Sequence, residues 1–383
     1  MRRTLLLATL AIMASSVSLS AQAMTSAEPF KVGTFEIDGA PTVAIVLRDA
    51  LIVDLNAANA ALEATLRYAA IPMPADMLGL IERYEYGLKP RLYEIVNDLV
   101  ASNSLMGAGR PDYIHDLDDV RTLPPILYPG KILNAAVNFY SHVSEGANPE
   151  AQAAAREQRR VNRGVPYLFL KPSRGAVIGN GDSIILPWGR DRTDWEVELG
   201  AVIGRPAKYV SANDAENYVF GYMVTIDVSD RGGRPPGGYG QGSDWFVGKG
   251  HDTFAPQGPW IVPKEFYGNP MEILRQTLRI GDDQLQEATA GDMIHTLWEL
   301  IEYGSSIVTL FPGDVVNNGT SGGTAAGIAN QRNTDIRYMQ AGQVVEASID
   351  GIGTLRMLVI AEDEATGLTG AHLPPVCSYR NCR

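Results

Sequence analysis

Cysteine is almost missing from this chain: Cys377 and Cys382, in the closing stretch VCSYRNCR, are the only two in 383 residues. Two thiols cannot make a zinc site alone, and the one histidine near them is His372; in an exported protein so close a pair reads as a small terminal disulfide loop. Positive charge is also in deficit, with 32 Lys and Arg against 44 Asp and Glu for a formal net charge of −12. That balance argues against nucleic acid and anionic membrane as partners, and an anionic substrate would need local cations or a metal at its site. Internal repeats, coiled-coil heptads and low-complexity tracts are absent, and beyond the N-terminus there is no apolar run of about 20 residues to span a bilayer.

What is present begins with MRRTLLLATLAIMASSVSLSAQA. Arg2 and Arg3, a short apolar run and the small-residue pattern Ala21-Gln22-Ala23 make a secretory signal peptide over residues 1–23. The expectation is export, to the periplasm in a bacterium, with cleavage after Ala23. No lipidation cysteine follows, so the product is expected to be soluble and free of the membrane. Loss of the leader removes two arginines and no acid, leaving the chain more acidic still.

The remaining length exceeds one small core, and two lobes are expected. Residues 30–53 carry short β-rich runs broken by Asp-Gly, a hairpin pattern. Helical periodicity follows in AANAALEATLRYAA and in ADMLGLIERYEYGLKPRLYEIVNDLVAS, and the Pro-rich RTLPPILYPGK then marks a connector. This predicts an N-terminal α+β lobe over 24–125 and a second domain over 126–383. The second is mainly short strands, with helices predicted at SANDAENYV, where Ser211 is placed to cap, and at AGDMIHTLWELIEYGSSIV. EGANPEAQAAAREQRRVNRG, with four arginines, reads either as a helical flap over a site or as a solvated surface helix.

In TDWEVELGAVIG, Glu196 and Glu198 share one face of a strand whose other face is Trp195, Val197 and Leu199. Taken alone, E-x-E reads as the solvent side of an amphipathic strand. With a cation between them, the two carboxylates suit a hard ion such as Mg²⁺, Ca²⁺ or Mn²⁺. In GYMVTIDVSDRG, Asp227 interrupts a strongly apolar strand, and a buried acid needs a partner. One ion shared by Glu196, Glu198 and Asp227 answers both problems and leaves coordination positions for water and substrate. VNFYSHVSEG spaces His142 and Glu145 to pair across a helical turn as an oriented general base. Lys249, in a Gly-Lys-Gly turn, is placed to meet a developing oxyanion, although surface-turn lysines are common.

Taken in order, KILNAAVNFYSHVSE, YLFLKPS, DWEVELGAVIG, VFGYMVTIDVSDR, GKGHDTFAPQGPWIV, LFPGDVVNNGTSGG and IDGIGTLRMLV resemble the fumarylacetoacetate hydrolase family over about residues 130–360. The preceding lobe resembles the variable N-terminal lobe of bacterial members. The resemblance implies an α+β fold with a mixed β-roll catalytic domain, usually dimeric, and a divalent cation, Mg²⁺ foremost with Ca²⁺ or Mn²⁺ as alternatives. It implies Glu196, Glu198 and Asp227 as metal ligands, and His142 with Glu145 as the catalytic dyad, with Asn138 beside it. It further implies Lys249 as the family lysine, followed by Asp252, and the loop from Gly319 and Thr320 to Gly323 against substrate. The segment after the dyad is often a lid in the family. Three departures surround the substrate rather than the metal: Phe139 for a family Tyr, Gly232 after Arg231 where an Asp is usual, and Ser321 for a Pro. The loop GGRPPGGYGQGSDW is also unusually rich in glycine.

The implied chemistry is metal-dependent hydrolysis of a carbon–carbon bond in an acylpyruvate-type diketo acid. His142 would activate water, Lys249 would meet the oxyanion, and Arg231 or a flap arginine would hold a second carboxylate of a small anionic oxo acid. Decarboxylation or isomerisation of a related oxo acid, and sugar-acid dehydration, are alternatives on the same scaffold. A periplasmic ligand-binding protein without turnover is the rival of another class; it would not need the full set His142, Glu145 and Lys249.

Overall fold

The computed structural model describes residues 24–107, 109–233 and 244–364. The leader, most of the glycine-rich loop before Trp245 and both cysteines lie outside the described residues.

Strands Lys31–Ile37 and Ala40–Leu47 pair residue for residue as the expected hairpin. Asp38 and Gly39, at φ of 51° and 76°, make the tight connection, a geometry that suits the strand twist and favours Asp-Gly. Leu51–Asp54 adds a third strand, and Asp54 then caps helix Leu55–Ala64 by accepting from the amides of Asn56 and Ala57. The long helix expected after it is in fact two, Met77–Arg83 and Lys89–Ala101. Gly87 at φ 139° breaks the path between them, and Pro90 restarts it in the first turn, where its missing N–H is not needed. SANDAENYV makes only a 3₁₀ turn, Ala215–Tyr218; Ser211 Oγ is taken by Asp214 at 2.8 Å instead of capping a helix. AGDMIHTLWELIEYGSSIV yields helix Leu297–Ile307, started by a Thr296/Glu299 capping box.

The architecture is α+β, built on mixed sheets. One 12-stranded sheet has ten strands in line, from Ile114–Asp116 through Leu51–Asp54, Ala40–Leu47, Lys31–Ile37, Ala255–Pro263, Val219–Ile226, Val197–Ile203, Val315–Asn317 and Ile132–Ala135 to Leu168–Lys171, with Arg121–Thr122 on Lys31–Ile37 and Val177–Ile178 on Ala255–Pro263 as side branches. The junction of the N-terminal strands with the rest is Val32 opposite Ile261. The only parallel neighbours on this path are Val315–Asn317 and Ile132–Ala135. Its two ends do not meet, so no barrel closes among the described residues. A five-stranded sheet, ordered Asp283–Thr289, Arg275–Ile280, Val344–Ile349, Gly353–Ala361 and Ser183–Leu186, shares its core.

The strand Val197–Ile203 shows how both cores use one element. Val197, Leu199, Ala201 and Ile203 belong to the cluster shared with the five-stranded sheet. Val202, on the opposite face, joins Phe220, Met223, Ile261 and Val315 beneath the N-terminal helices. Glu198 lies on that second face, beyond Gly200, where the N-terminal core has ended. No described helix is long and apolar enough to cross a membrane.

Candidate metal and catalytic site

Glu196 and Asp227 stand where two antiparallel strands run out: Val197 is the last residue paired on one strand, Ile226 on the other, and the two face each other. Past that pair, the amide of Asp227 donates to the carbonyl of Glu196 at 2.8 Å. The other edge of the strand is held by side chains, because Val315–Asn317 ends early. Gln286 Oε1 accepts from the Val197 amide at 3.1 Å, while Gln276 Nε2 and Thr320 Oγ1 both donate to its carbonyl at 3.0 Å. Two glutamines from the five-stranded sheet thus fix the peptide that separates Glu196 from Glu198.

The three carboxylates are buried, and each offers an oxygen within 4.8 Å of the others. Their counter-charges are distributed unevenly. Glu196 accepts from Arg231 Nη2 and, at 2.7 Å, from Lys249 Nζ. Asp227 accepts from Lys171 Nζ and, at 2.6 Å, from Lys249. Among the described residues Glu198 has only neutral donors, Asn134 Nδ2 at 3.3 Å and the Gly319 amide at 3.2 Å. Gly319 approaches this closely at φ 85°, where an added Cβ would meet Ala135 O and Asn138 Cβ at 2.9 Å. Burial opposes ionisation of Glu196, yet Lys249 and Arg231 prevail and hold its carboxyl well below the usual range. Burial, reinforced by the like charges of Asp227 and Glu196, pushes Glu198 well above it. Burial also brings the Lys171 ammonium down to about 8 against the pull of Asp227.

A buried acid without a cation, beside two that have one, fits a missing positive charge. The donor set is three hard oxygens on rigid strand ends, which suits Mg²⁺, Mn²⁺ or Ca²⁺. Around them is a cavity of about 60 Å³, also lined by His142, Phe169, Arg231, Trp245, Lys249 and Thr320. A wider groove of about 830 Å³ borders Trp195 and helix Ala325–Arg332, but none of the three carboxylates lines it.

The other expected site residues fall in two groups. His142 and Lys249 reach the cavity, though not in the local settings expected of them. Lys249 ends the helical turn Trp245–Lys249 and is buried, with Ser229 Oγ as a third contact at 2.6 Å. His142 closes a 3₁₀ turn, and Ser144 at φ 50° stops it from continuing as a helix. Its Nδ1 lies 3.3 Å from Glu145 Oε1, without hydrogen-bond alignment. Glu145 is occupied by the start of helix Ala325–Arg332, accepting from the amides of Gly323 at 3.0 Å and Thr324 at 3.1 Å and from Thr324 Oγ1.

Asn138 does not present itself to a substrate. Both amide hydrogens go to main-chain carbonyls, of His295 at 2.9 Å and Asn318 at 2.8 Å, and its oxygen accepts the His295 amide at 2.9 Å. It pins two loops behind the cavity wall. Gly319 and Thr320 likewise hold Glu198 and Val197, and Thr320 also reaches the cavity. Arg231 is shared between Asp194, at 3.0 Å, and Glu196. The arginine-rich segment is helix Pro149–Val161, capped by Asn148; Arg156 Nη2 donates to Ser141 O at 2.7 Å, beside His142.

Sequence reasoning passed over Lys171, Asp194, Phe169, Trp245, Gln276 and Gln286. Lys171 left a trace: it is the lone charge in YLFLKPS, on the same strand face as Phe169, and it is buried while Leu170 is exposed. The glutamines left none, since their partners, the Val197 peptide and the loop around residues 318–321, lie far off in the chain.

A sequence profile described as "Fumarylacetoacetate (FAA) hydrolase C-terminal" matches residues 131–360. The chain is 34% identical over 235 residues to a 2,4-didehydro-3-deoxy-L-rhamnonate hydrolase from a Sphingomonas species, covering 61% of this chain and 75% of that one. It is 37% identical over 237 residues to an uncharacterized protein of Pyrococcus abyssi, covering 61% of this chain and 92% of that one. Among solved structures, maleylpyruvate hydrolase from Sphingobium sp. SYK-6 in complex with manganese(II) and pyruvate superposes with a TM-score of 0.62 at 24% identity, over 87% of this chain and 100% of that one. A 5-carboxymethyl-2-hydroxymuconate delta-isomerase from Mycobacterium smegmatis superposes with a TM-score of 0.57 at 25% identity, over 87% and 100% of the two chains.

Proposed function

We propose that this chain, which belongs to the fumarylacetoacetate hydrolase family, is a divalent-metal-dependent hydrolase that splits a carbon–carbon bond in an acylpyruvate-type diketo acid. The observation that carries the metal is Glu198, a buried carboxylate with neutral donors alone beside two carboxylates that have cations. Glu196, Glu198 and Asp227 would hold the ion, Mg²⁺ foremost. When bound, the ion supplies Lewis-acid polarisation of a 2-oxo acid. The reaction class draws support from the Sphingomonas relative, whose name puts oxo groups at carbons 2 and 4 around a deoxygenated carbon 3, the acylpyruvate pattern.

His142 is the base. With Nδ1 turned toward Glu145, Nε2 takes a proton from water as the oxygen bonds to the distal carbonyl. Lys249, whose three N–H groups are held by Glu196, Asp227 and Ser229 Oγ, gives up the neutral Ser229 contact to donate to the oxyanion that forms. The carbon–carbon bond then breaks, its electron pair goes to the departing methylene, and the proton held by His142 follows. The products are a carboxylic acid and a 2-oxo acid. Isomerisation is the second reading, favoured by the likeness to the mycobacterial delta-isomerase.

Purified protein supplied with Mg²⁺ or Mn²⁺ and a panel of acylpyruvates and oxaloacetate separates these readings. Paired acid products support hydrolysis, CO₂ indicates decarboxylation, and a shifted double bond without cleavage indicates isomerisation. His142→Ala should slow hydrolysis by about 10²–10⁴-fold with metal affinity unchanged, and unaltered turnover would remove His142 as the base. Export and a two-fold dimer belong to the same proposal. The N-terminus of the secreted protein and its sedimentation mass test them.

A further inference from the structure

We propose that Tyr167, Phe169 and Trp245 form an acyl subsite that takes a flat, apolar group, aryl or alkenyl, in preference to a second carboxylate or a hydroxylated chain. The inference rests on the acylpyruvate reading of the site and narrows it to a substrate class.

The cavity at the carboxylates, about 60 Å³, is about two water volumes. That takes little beyond the ion and the atoms that meet it, so the acyl end must leave along the wall. Tyr167, Phe169 and Lys171 alternate onto one face of the chain leading through strand Leu168–Lys171. Lys171 is the deep end, on Asp227. Phe169 comes next and stacks on Trp245, with ring centroids 4.6 Å apart and planes 29° from parallel. Tyr167 meets the same indole edge-on at 5.5 Å and is 52% exposed. Lys249 Nζ lies 5.1 Å from the Phe169 ring and 6.0 Å from Trp245. The aromatic wall therefore starts at the oxyanion lysine and runs outward to solvent. Val137, 43% exposed, is also at the cavity.

Charge points the same way. Among the described residues, the cations lining the cavity, Arg231 and Lys249, are already bound to Asp194, Glu196 and Asp227. A distal carboxylate would have to take one of them from the cradle. Three of the four flap arginines are engaged too: Arg156 with Ser141 O, Arg163 with Glu299 at 2.5 Å, and Arg160 over the Tyr140 ring. An apolar face loses nothing there and gains contact with exposed aromatic surface.

The test compares benzoylpyruvate, acetylpyruvate and fumarylpyruvate with the Mn²⁺-loaded full chain, by kcat/KM and by calorimetric binding. Benzoylpyruvate should be favoured over each of the others by about tenfold or more. Trp245→Ala and the exposed Tyr167→Ala should each collapse that ratio toward one, mainly through KM, while Trp245→Phe should keep it. Equal or reversed preference, or a preference that survives both alanine variants, overturns the subsite. Preferential binding of benzoylpyruvate without cleavage of any substrate would sink the hydrolase reading and keep the subsite, whereas failure to bind all three would remove both.

Discussion

The carbonyl of Glu196 accepts the main-chain N–H of Asp227 at 2.8 Å, so two of the three carboxylates that converge on the cavity are joined through their backbones. The cradle is therefore set by strand pairing and does not depend on an ion for its shape. Replacing one ligand should then cost metal and not fold. Glu198→Gln, which keeps the volume and removes the one acid without a cation, should weaken Mn²⁺ binding by about 100-fold or more, a larger loss than outer groups give. Without metal it should melt no lower than the parent, and it should lose the parent's metal-induced rise in melting temperature. Calorimetric titration and thermal unfolding with and without Mn²⁺ check both, and parental affinity would exclude Glu198 as a ligand.

Lys171 and Asp227 behave oppositely. Lys171→Met leaves a buried carboxylate with Lys249 alone and removes the donor to the Val228 carbonyl. The metal-free variant should lose about 3–5 kcal/mol, as broken buried pairs do. A divalent ion replaces part of the lost charge, so Mn²⁺ should raise the melting temperature of this variant by more than it raises the parent's. An equal rise would show that the ion and Lys171 do not answer the same charge.

How far the site was legible follows from where each partner lies in the chain. Asp227 is visible as an acid inside a strongly apolar strand, whereas Glu196 and Glu198 alone read as the solvent side of an amphipathic strand and become ligands only beside Asp227 and in the order of motifs around them. Their dependence on Gln276 and Gln286 is not visible, because those bonds span the two sheets and leave no local period, and Lys171 shows only as a lone charge in an apolar strand without its partner. His142 and Glu145 were legible as residue types but misplaced as a helical pair, since nothing in YSHVSE announces Ser144 at positive φ. The same holds in the fold: the Asp38-Gly39 hairpin speaks through its turn, whereas the break at Gly87 is hidden inside a continuous apolar stripe.

Gln286 is the sharpest test of the clamp on the cradle. Its amide accepts from Val197 and donates to Thr320 Oγ1 and Ser321 O, both at 2.9 Å. Gln286→Leu puts an apolar side chain of similar size in its place and strands two buried main-chain groups, the Val197 amide and the Ser321 carbonyl. It should cost about 1–3 kcal/mol and reduce Mn²⁺ affinity by about tenfold, although Gln286 touches no ligand oxygen. Urea unfolding and metal titration read the two separately; a stability loss with unchanged affinity would confine the glutamine to folding.

Acid should loosen the N-terminal helices through Glu265. Its carboxylate accepts from Tyr84 Oη at 2.8 Å and Tyr93 Oη at 3.0 Å, and lies 3.0 Å from Lys89 Nζ. Burial opposes its charge, but these donors and its own backbone hold the carboxyl below its usual 4.5. A depressed native value means that the stabilisation is complete above the unfolded value and is lost as pH falls through the native one. Glu265→Gln should cost about 1–3 kcal/mol near neutrality, and the gap to the parent should narrow below pH 4.5. A gap constant with pH in denaturant titrations would show that ionisation of Glu265 contributes nothing.

The pairing of Val32 with Ile261 sets the order in which the molecule can be assembled. The first strands of the chain must wait for a neighbour made more than two hundred positions later. Until it arrives, the apolar face formed with Phe220, Met223 and Val315 stands open to other chains. Such distant closure makes for slow folding and a long period of exposure. Newly made protein is therefore most vulnerable to aggregation after its N-terminal helices have formed and before Ala255–Pro263 has docked.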